Sequence, residues 1–255
     1  MVSNSSERLY HKRQMSTRLA WRPALLFMLS LGAAEPRIAV IQAEIAQADG
    51  PGGYYAKTYS KEETLYWSHI PGWIAEDAAA RKVKRVLDIG CGYGTLLGYS
   101  AQIYGAEGFC LDFIDYLRPA FAKPRKLTFA KGNIELDAIP WGQPFDAIIM
   151  TEVLEHFNFY PVPTLKKMHD ALAPGGVLFL STPDEKEWGR EYKYYKKVSA
   201  MPMPDRTAKV IDAHVFIYSR AEVTKLLTDA GFKVEKLEYS PGVGHRHFNI
   251  KALAN

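Results

Sequence analysis

The sequence predicts a three-layer α/β domain, a largely parallel sheet covered by helices on both faces. Three observations predict it. Short apolar, β-rich runs alternate with helix-period segments through most of the chain. A glycine loop joins the first of these runs to a helix. The last two runs are separated only by a short turn, which makes them an antiparallel hairpin at the sheet edge.

Composition agrees, with 47% apolar and 24% charged residues among 255, a balance that excludes a disordered chain or a fibrous repeat. The net charge of +4 belongs to the amino-terminal tail: the first 34 residues hold five basic and one acidic side chain, leaving 27 of each sign in the rest. A neutral body lacks the basic stripe that phosphate neutralisation needs, so nucleic acid is not an expected partner. Only Cys91 and Cys110 occur, so no disulfide framework or cysteine-rich zinc site is expected, and Cys91 reads as a small residue in a tight loop.

The tail comes first in the chain. From Met15, two arginines (Arg18, Arg22) precede the apolar run Ala24 to Leu31 and the small residues Gly32, Ala33 and Ala34. Residues 15–34 thus have the shape of an export signal, with a transit peptide or an apolar helix packed on the body as alternatives. The run is about half of the roughly 20 residues a bilayer span requires, so no transmembrane span is expected. A breaker cluster at 47–53 (Gln-Ala-Asp-Gly-Pro-Gly-Gly) sets the expected boundary between the tail, 1–50, and a single domain, 51–255. Within that domain, strands are expected at 83–89, 107–112, 126–130, 144–150, 176–182, 232–239 and 246–253, and helices at 62–81, 94–103, 115–122, 163–172 and 219–230. Residues 184–211 are an insertion between the fifth strand and the next helix, placed to act as a lid. There Trp188, Tyr192, Tyr194 and Tyr195, with Arg190, Lys193, Lys196 and Lys197, read either as a binding surface for an aromatic or anionic acceptor or as an amphipathic helix with a solvated basic face.

The first strand runs into Gly90-Cys91-Gly92-Tyr93-Gly94. Glycine at every second position lets the backbone turn sharply and lets a ligand approach where a Cβ would collide. The spacing differs from the dinucleotide fingerprint G-x-G-x-x-G, which disfavours a nicotinamide-dependent oxidoreductase. Asp88, just before the loop, either orients the loop or a ligand ammonium, or accepts turn N–H groups. Asp112 ends the second strand, where a carboxylate can accept both hydroxyls of a ribose. Asn133, in Lys131-Gly132-Asn133-Ile134-Glu135, reads equally as an adenine-edge contact and as a turn residue.

Together VLDIGCGYG, Asp112, FDAIIMTEVLEHF at 145–157 and LAPGGVLFLSTP at 172–183 resemble the ordered motifs of class I S-adenosylmethionine-dependent methyltransferases. The resemblance implies a Rossmann-like seven-stranded sheet of order 3-2-1-4-5-7-6. It further implies that Gly90, Gly92 and Gly94 border the methionine part of S-adenosyl-L-methionine, Asp112 holds its ribose, and Asn133 and Ile134 flank its adenine.

If Thr151 to Phe157 is helical, Glu152, Glu155 and His156 share one face, and three such side chains are plausible ligands for a hard or borderline cation, with His214 as a fourth. Ubiquinone-pathway O-methyltransferases and small-RNA 2′-O-methyltransferases are similar in this E-x-x-E-H segment, and the resemblance implies a divalent cation such as Mg²⁺ holding an acceptor hydroxyl. The alternative is a metal-free general base, His156 or His214, with Glu155 beside it. Tyr54, Tyr55, Tyr59 and Trp67 read either as a roof over the cofactor or as core, and His245 with His247 as a surface pair on an edge strand. The expected activity is S-adenosylmethionine-dependent methyl transfer to a small molecule, with oxygen as first choice. Competing readings are an RNA 2′-O-methyltransferase, disfavoured by the neutral body, and an exported or membrane-attached binding protein that has lost catalysis. The cofactor argues for the cytoplasm and the tail for export.

Overall fold

The computed structural model describes residues 38–50, 52–142, 144–189, 194–240 and 246–255. The signal-like segment 15–34 lies outside the described residues, as do Arg190, Tyr192, Lys193, His245 and the turn between the last two strands. Residues 38–49 form α1, in which Ile38, Ile41 and Ile45 share one helical face and are buried in the core. The body therefore starts ahead of the expected boundary at residue 50. The breaker cluster falls inside the body: its first three residues close α1, where Arg118 donates to Asp49 Oδ1 through Nε at 2.8 Å and Nη2 at 2.6 Å.

A π-helical turn, Tyr55–Tyr59, leads into α2 (Ser60–Tyr66), followed by α3 (Ile70–Ala80). The single helix expected over 62–81 is thus broken at residues 67–69, and Pro71 stands in the first turn of α3, where its missing N–H would have had no partner. The alternation follows: β1 (Arg85–Ile89), α4 (Thr95–Tyr104), β2 (Glu107–Asp112), α5 (Pro119–Ala122), β3 (Thr128–Lys131), β4 (Phe145–Thr151), α6 (Pro161–Ala171), β5 (Leu172–Pro183), α7 (Glu185–Trp188), α8 (Arg220–Asp229), β6 (Phe232–Tyr239) and β7 (His247–Ala254). The sheet order is 3-2-1-4-5-7-6, parallel except for β7, which runs antiparallel to β5 and β6. This is the Rossmann-like arrangement with the expected terminal hairpin.

Successive residues of the central strands point to opposite faces, so both faces are apolar. Leu87, Ile89, Ile148, Met150, Leu178 and Leu180 join α6 and α8 in one core, whereas Val86, Ala147, Ile149, Val177 and Phe179 join α1 to α4 in the other. Over its described length the insertion is not an amphipathic helix, although Lys196 and Lys197 are exposed as a solvated basic face would have them. It holds only α7 and a 3₁₀ turn at Val198–Ala200, with Met201 buried and Tyr194, Tyr195 and Ile211 packed on the core. Asn158 anchors its far end, donating to Ile211 O at 3.0 Å and accepting from Ile211 N at 2.7 Å. Among the described residues no helix is long and apolar enough to cross a membrane.

Cys91 and Cys110 are joined by a disulfide, so Cys91 is more than the small loop residue it reads as in the sequence. The sheet register explains it. Asp88 pairs with Cys110 across β1 and β2, and the Gly90 N–H donates to Leu111 O at 2.8 Å, folding the loop back over β2 until the two cysteine Cα atoms are 5.7 Å apart.

Candidate active site

The carboxyl ends of β1, β2, β3 and β4 open onto one cleft of about 230 Å³, at the edge where open α/β sheets bind ligands. The glycine loop forms one wall. Gly90 has φ +70°, and a Cβ there would stand 2.3 Å from Val153 Cγ2, so only glycine lets the loop lie against the turn after β4. Gly92 also lines the cleft, while Gly94 does not. Gly94 supports the loop from beneath: it caps α4 at φ +84°, and a Cβ would meet Leu117 Cδ2 at 2.5 Å.

Asp112 lines the cleft at the end of β2, its Oδ2 accepting from Gly92 N–H at 3.0 Å and its Oδ1 from Ile114 N–H at 3.2 Å. The carboxyl is thereby fixed, and burial pushes its pKa upward. Asp88, by contrast, is buried below the loop and outside the cleft lining. Burial, with the neighbouring Asp112 charge, pushes its pKa well up, and its partner is a backbone N–H of α4 at Leu97. This contact fits the reading of Asp88 as a carboxylate that accepts backbone N–H groups, a role compatible with orienting the loop. For Asn133 the turn reading is the one the hydrogen bonds bear out. It lines the cleft beside Ile134, while its Oδ1 accepts from Glu135 N–H at 2.8 Å in a turn.

The segment after β4 is not the α-helix that would align three ligands. Glu152 has φ +56°, one of two non-glycine residues at positive φ among those described, and a 3₁₀ turn over Leu154–His156 follows. The bend separates Glu152 from the rest of the expected ligand set. Ligand atoms of Glu155, His156 and His214 lie within 4.8 Å of one another, with the two imidazoles edge to face at 4.8 Å. His214 reaches the turn because Glu155 O accepts from Val215 N–H at 2.7 Å and Phe216 N–H at 3.2 Å. Glu155 is buried, accepts from Thr182 Oγ1 at 2.9 Å, and has its pKa pushed well up by burial and by the Glu152 charge. His156 reaches the cleft; burial and the neighbouring His214 lower its pKa, so it is neutral at neutral pH.

Several site residues escaped the sequence. Glu135 lines the cleft and accepts from Asn158 N–H at 3.0 Å and Phe159 N–H at 2.9 Å, so it holds the segment after the 3₁₀ turn; burial pushes it up to about 7. Its position two residues after Asn133 was the available signal. Phe113 and Tyr116 add aromatic surface. Of the four proposed roof residues, Tyr59 alone lines the cleft, Tyr55 and Trp67 are core, and Tyr54 is exposed. His247 is not a surface residue: it is 1% exposed, stacked on Tyr66 with ring centroids 4.5 Å apart. The reason is β7's position between β5 and β6, which makes it an interior strand.

Fold and site together define a class I S-adenosylmethionine-dependent methyltransferase domain. Residues 67–237 match the methyltransferase domain family, and the chain belongs to it. Demethylspheroidene O-methyltransferase of Rhodobacter capsulatus is 32% identical over 169 residues, spanning 61% of this chain and 38% of that protein. Ubiquinone biosynthesis O-methyltransferase of Xanthomonas campestris pv. campestris is 35% identical over 107 residues, spanning 38% of this chain and 42% of that protein. The matches therefore span only 38–42% of the length of these curated relatives. Magnesium protoporphyrin IX methyltransferase from Synechocystis PCC 6803, solved with bound S-adenosylhomocysteine, shares the fold at a TM-score of 0.54 and 17% identity, covering 91% of this chain and 99% of that one.

Proposed function

We propose that this chain transfers the methyl group of S-adenosylmethionine to a hydroxyl oxygen of a small molecule. One observation carries the reading: Gly90, Gly92, Asp112, Asn133 and Ile134 line the same cleft as His156, so the cofactor-side groups and a neutral imidazole face one opening. Bound there, S-adenosylmethionine would supply a sulfonium methyl group to a nucleophile in line with it. The loop admits the methionine part where side chains would block it, and Asp112 offers a fixed carboxyl to the ribose hydroxyls. Positioning of this kind can contribute roughly 7–11 kcal/mol of the barrier. His156 is placed to accept the hydroxyl proton, with His214 beside it. The names of the two O-methyltransferase relatives support oxygen over nitrogen or carbon.

Glu155, His156 and His214 also fit a divalent cation, which would lower the pKa of an acceptor hydroxyl. Two imidazoles and one carboxylate suit a borderline transition ion better than Mg²⁺, which prefers oxygen ligands. Methyl-labelled S-adenosylmethionine offered with panels of hydroxyl, amine and carbon acceptors, before and after chelation, tests both parts. Label in hydroxyl compounds is expected; label only in amines or carbon acceptors would overturn the oxygen assignment, and activity indifferent to chelation and add-back would remove the cation.

A second reading, an exported form, is favoured by the Cys91–Cys110 disulfide, because such bonds persist in oxidising compartments. The mass of the mature protein checks it: loss of the residues up to about Ala34 is expected on export, and an intact amino terminus in the cytoplasm contradicts it.

A further inference from the structure

Glu152 stands on the cleft wall in a strained conformation, and its carboxyl group is hydrogen-bonded on one side and met by an imidazole on the other. Ser181 Oγ donates to Oε1 at 2.6 Å, and His247 Nδ1 lies 2.8 Å from Oε2, in an alignment short of an ideal hydrogen bond. His247 comes from the other end of the domain's sequence. It arrives because the antiparallel β7 begins where the parallel strands end, with His247 paired to Pro183 of β5. Its backbone is fixed on the β6 side, donating from N–H to Ser240 Oγ and accepting at its carbonyl from Ser240 N–H, both at 2.9 Å. Its ring is fixed by the stack on Tyr66 and by the edge of Trp188 at 5.4 Å. A fully buried imidazole this tightly held, with neither ring nitrogen in a full hydrogen bond and Nδ1 against the Glu152 carboxyl, is more than packing requires.

We infer that His247 is a positioning residue of the methyl-transfer cleft, holding the Glu152 carboxyl group at the wall so that the cleft presents it, oriented, to the cationic end of the cofactor. The inference rests on the cofactor reading of the cleft. Its physical basis is preorganisation: a carboxyl hydrogen-bonded to Ser181 and packed against the His247 ring has little rotamer freedom left to lose when a cation arrives, and a strained backbone at Glu152 fixes its direction.

Two variants separate positioning from packing. His247→Phe keeps the ring and its stack on Tyr66 but has no nitrogen, while His247→Asn restores a donor near the place of Nδ1. Calorimetric titration of the full chain with S-adenosylmethionine is expected to show about 10-fold weaker binding for H247F and recovery to within about threefold of wild type for H247N. Equal affinity in wild type and H247F, or equal loss in both variants at unchanged melting temperature, overturns the inference. A ligand-free readout keeps this outcome distinct from failure of the cofactor reading: the imidazole ¹⁵N signals of His247 are expected to shift in Glu152→Gln, and unchanged signals overturn the inference whether or not the wild type binds S-adenosylmethionine.

Discussion

Asp112 serves structure and ligand with one carboxyl group: it accepts from the Gly92 N–H, which shapes the loop, and it faces the cleft. Asp112→Ala should therefore weaken S-adenosylmethionine binding by about 1–3 kcal/mol, read by calorimetry on a folded variant, and unchanged affinity would remove Asp112 from the site. His156→Ala should lower turnover while leaving cofactor affinity nearly intact, because His156 stands at the β4 wall and not on the glycine loop; equal turnover would end its role. Residues such as Gly90, Gly92 and Asp112 were legible in the sequence because their chemistry is local, a loop spacing and a strand end. Glu135 and His247 were not, since one acts through backbone N–H groups 23 and 24 residues away and the other through a strand register.

At the scale of elements, the amino-terminal helices are latched to the glycine loop by one buried carboxyl group. Glu63 Oε1 accepts from Gln42 of α1 at 2.9 Å, from Tyr55 Oη at 2.6 Å and from Thr95 Oγ1 at 3.0 Å, and Thr95 opens α4 directly after the loop. Glu63→Ala removes the shared acceptor, leaving the Tyr55 and Thr95 hydroxyls only each other and Gln42 only Ser60 O, and should cost about 1–3 kcal/mol of stability in denaturant unfolding; a loss within experimental error would show that α1 and α2 are not latched there. The disulfide is a second tie on the same loop. Reducing it, or substituting Cys110→Ala under oxidising conditions, should lower stability by about 2–4 kcal/mol, with weaker cofactor binding as the loop loosens. Periodicity found the sheet strands to within a few residues, but it ran α2 and α3 together, and the condition that residues 151–157 be helical fails at Glu152, where contacts with Ser181 and His247 accompany a different backbone.

For the whole molecule, the buried carboxyl groups set the response to pH. Glu135 at about 7 and Glu152 at about 8 hold their protons more tightly folded than unfolded, where the ordinary value is 4.5, so each contributes stability that is lost as pH rises through that interval. His247, lowered from 6.5 to about 4, acts in the opposite sense, gaining stability as pH rises through its own interval. The two senses oppose each other below pH 6.5, and only the carboxyl contribution remains above it. The melting temperature should therefore fall between pH 6.5 and 8, and Glu152→Gln should flatten that fall; a rise over the same range would contradict the assignment of these groups. The strand order 3-2-1-4-5-7-6 brings every one of these groups to one edge of the sheet. That convergence was legible only through motif order, because no local pattern specifies which strands become neighbours.

The most direct test of the central claim is a calorimetric titration of the full chain with S-adenosylmethionine and S-adenosylhomocysteine, with NADH as comparator. Saturable binding of the two sulfur nucleosides, roughly micromolar and lost in Asp112→Ala, is the predicted result. A folded chain that binds neither, or that binds NADH equally well, would contradict a methyl-transfer site in this cleft.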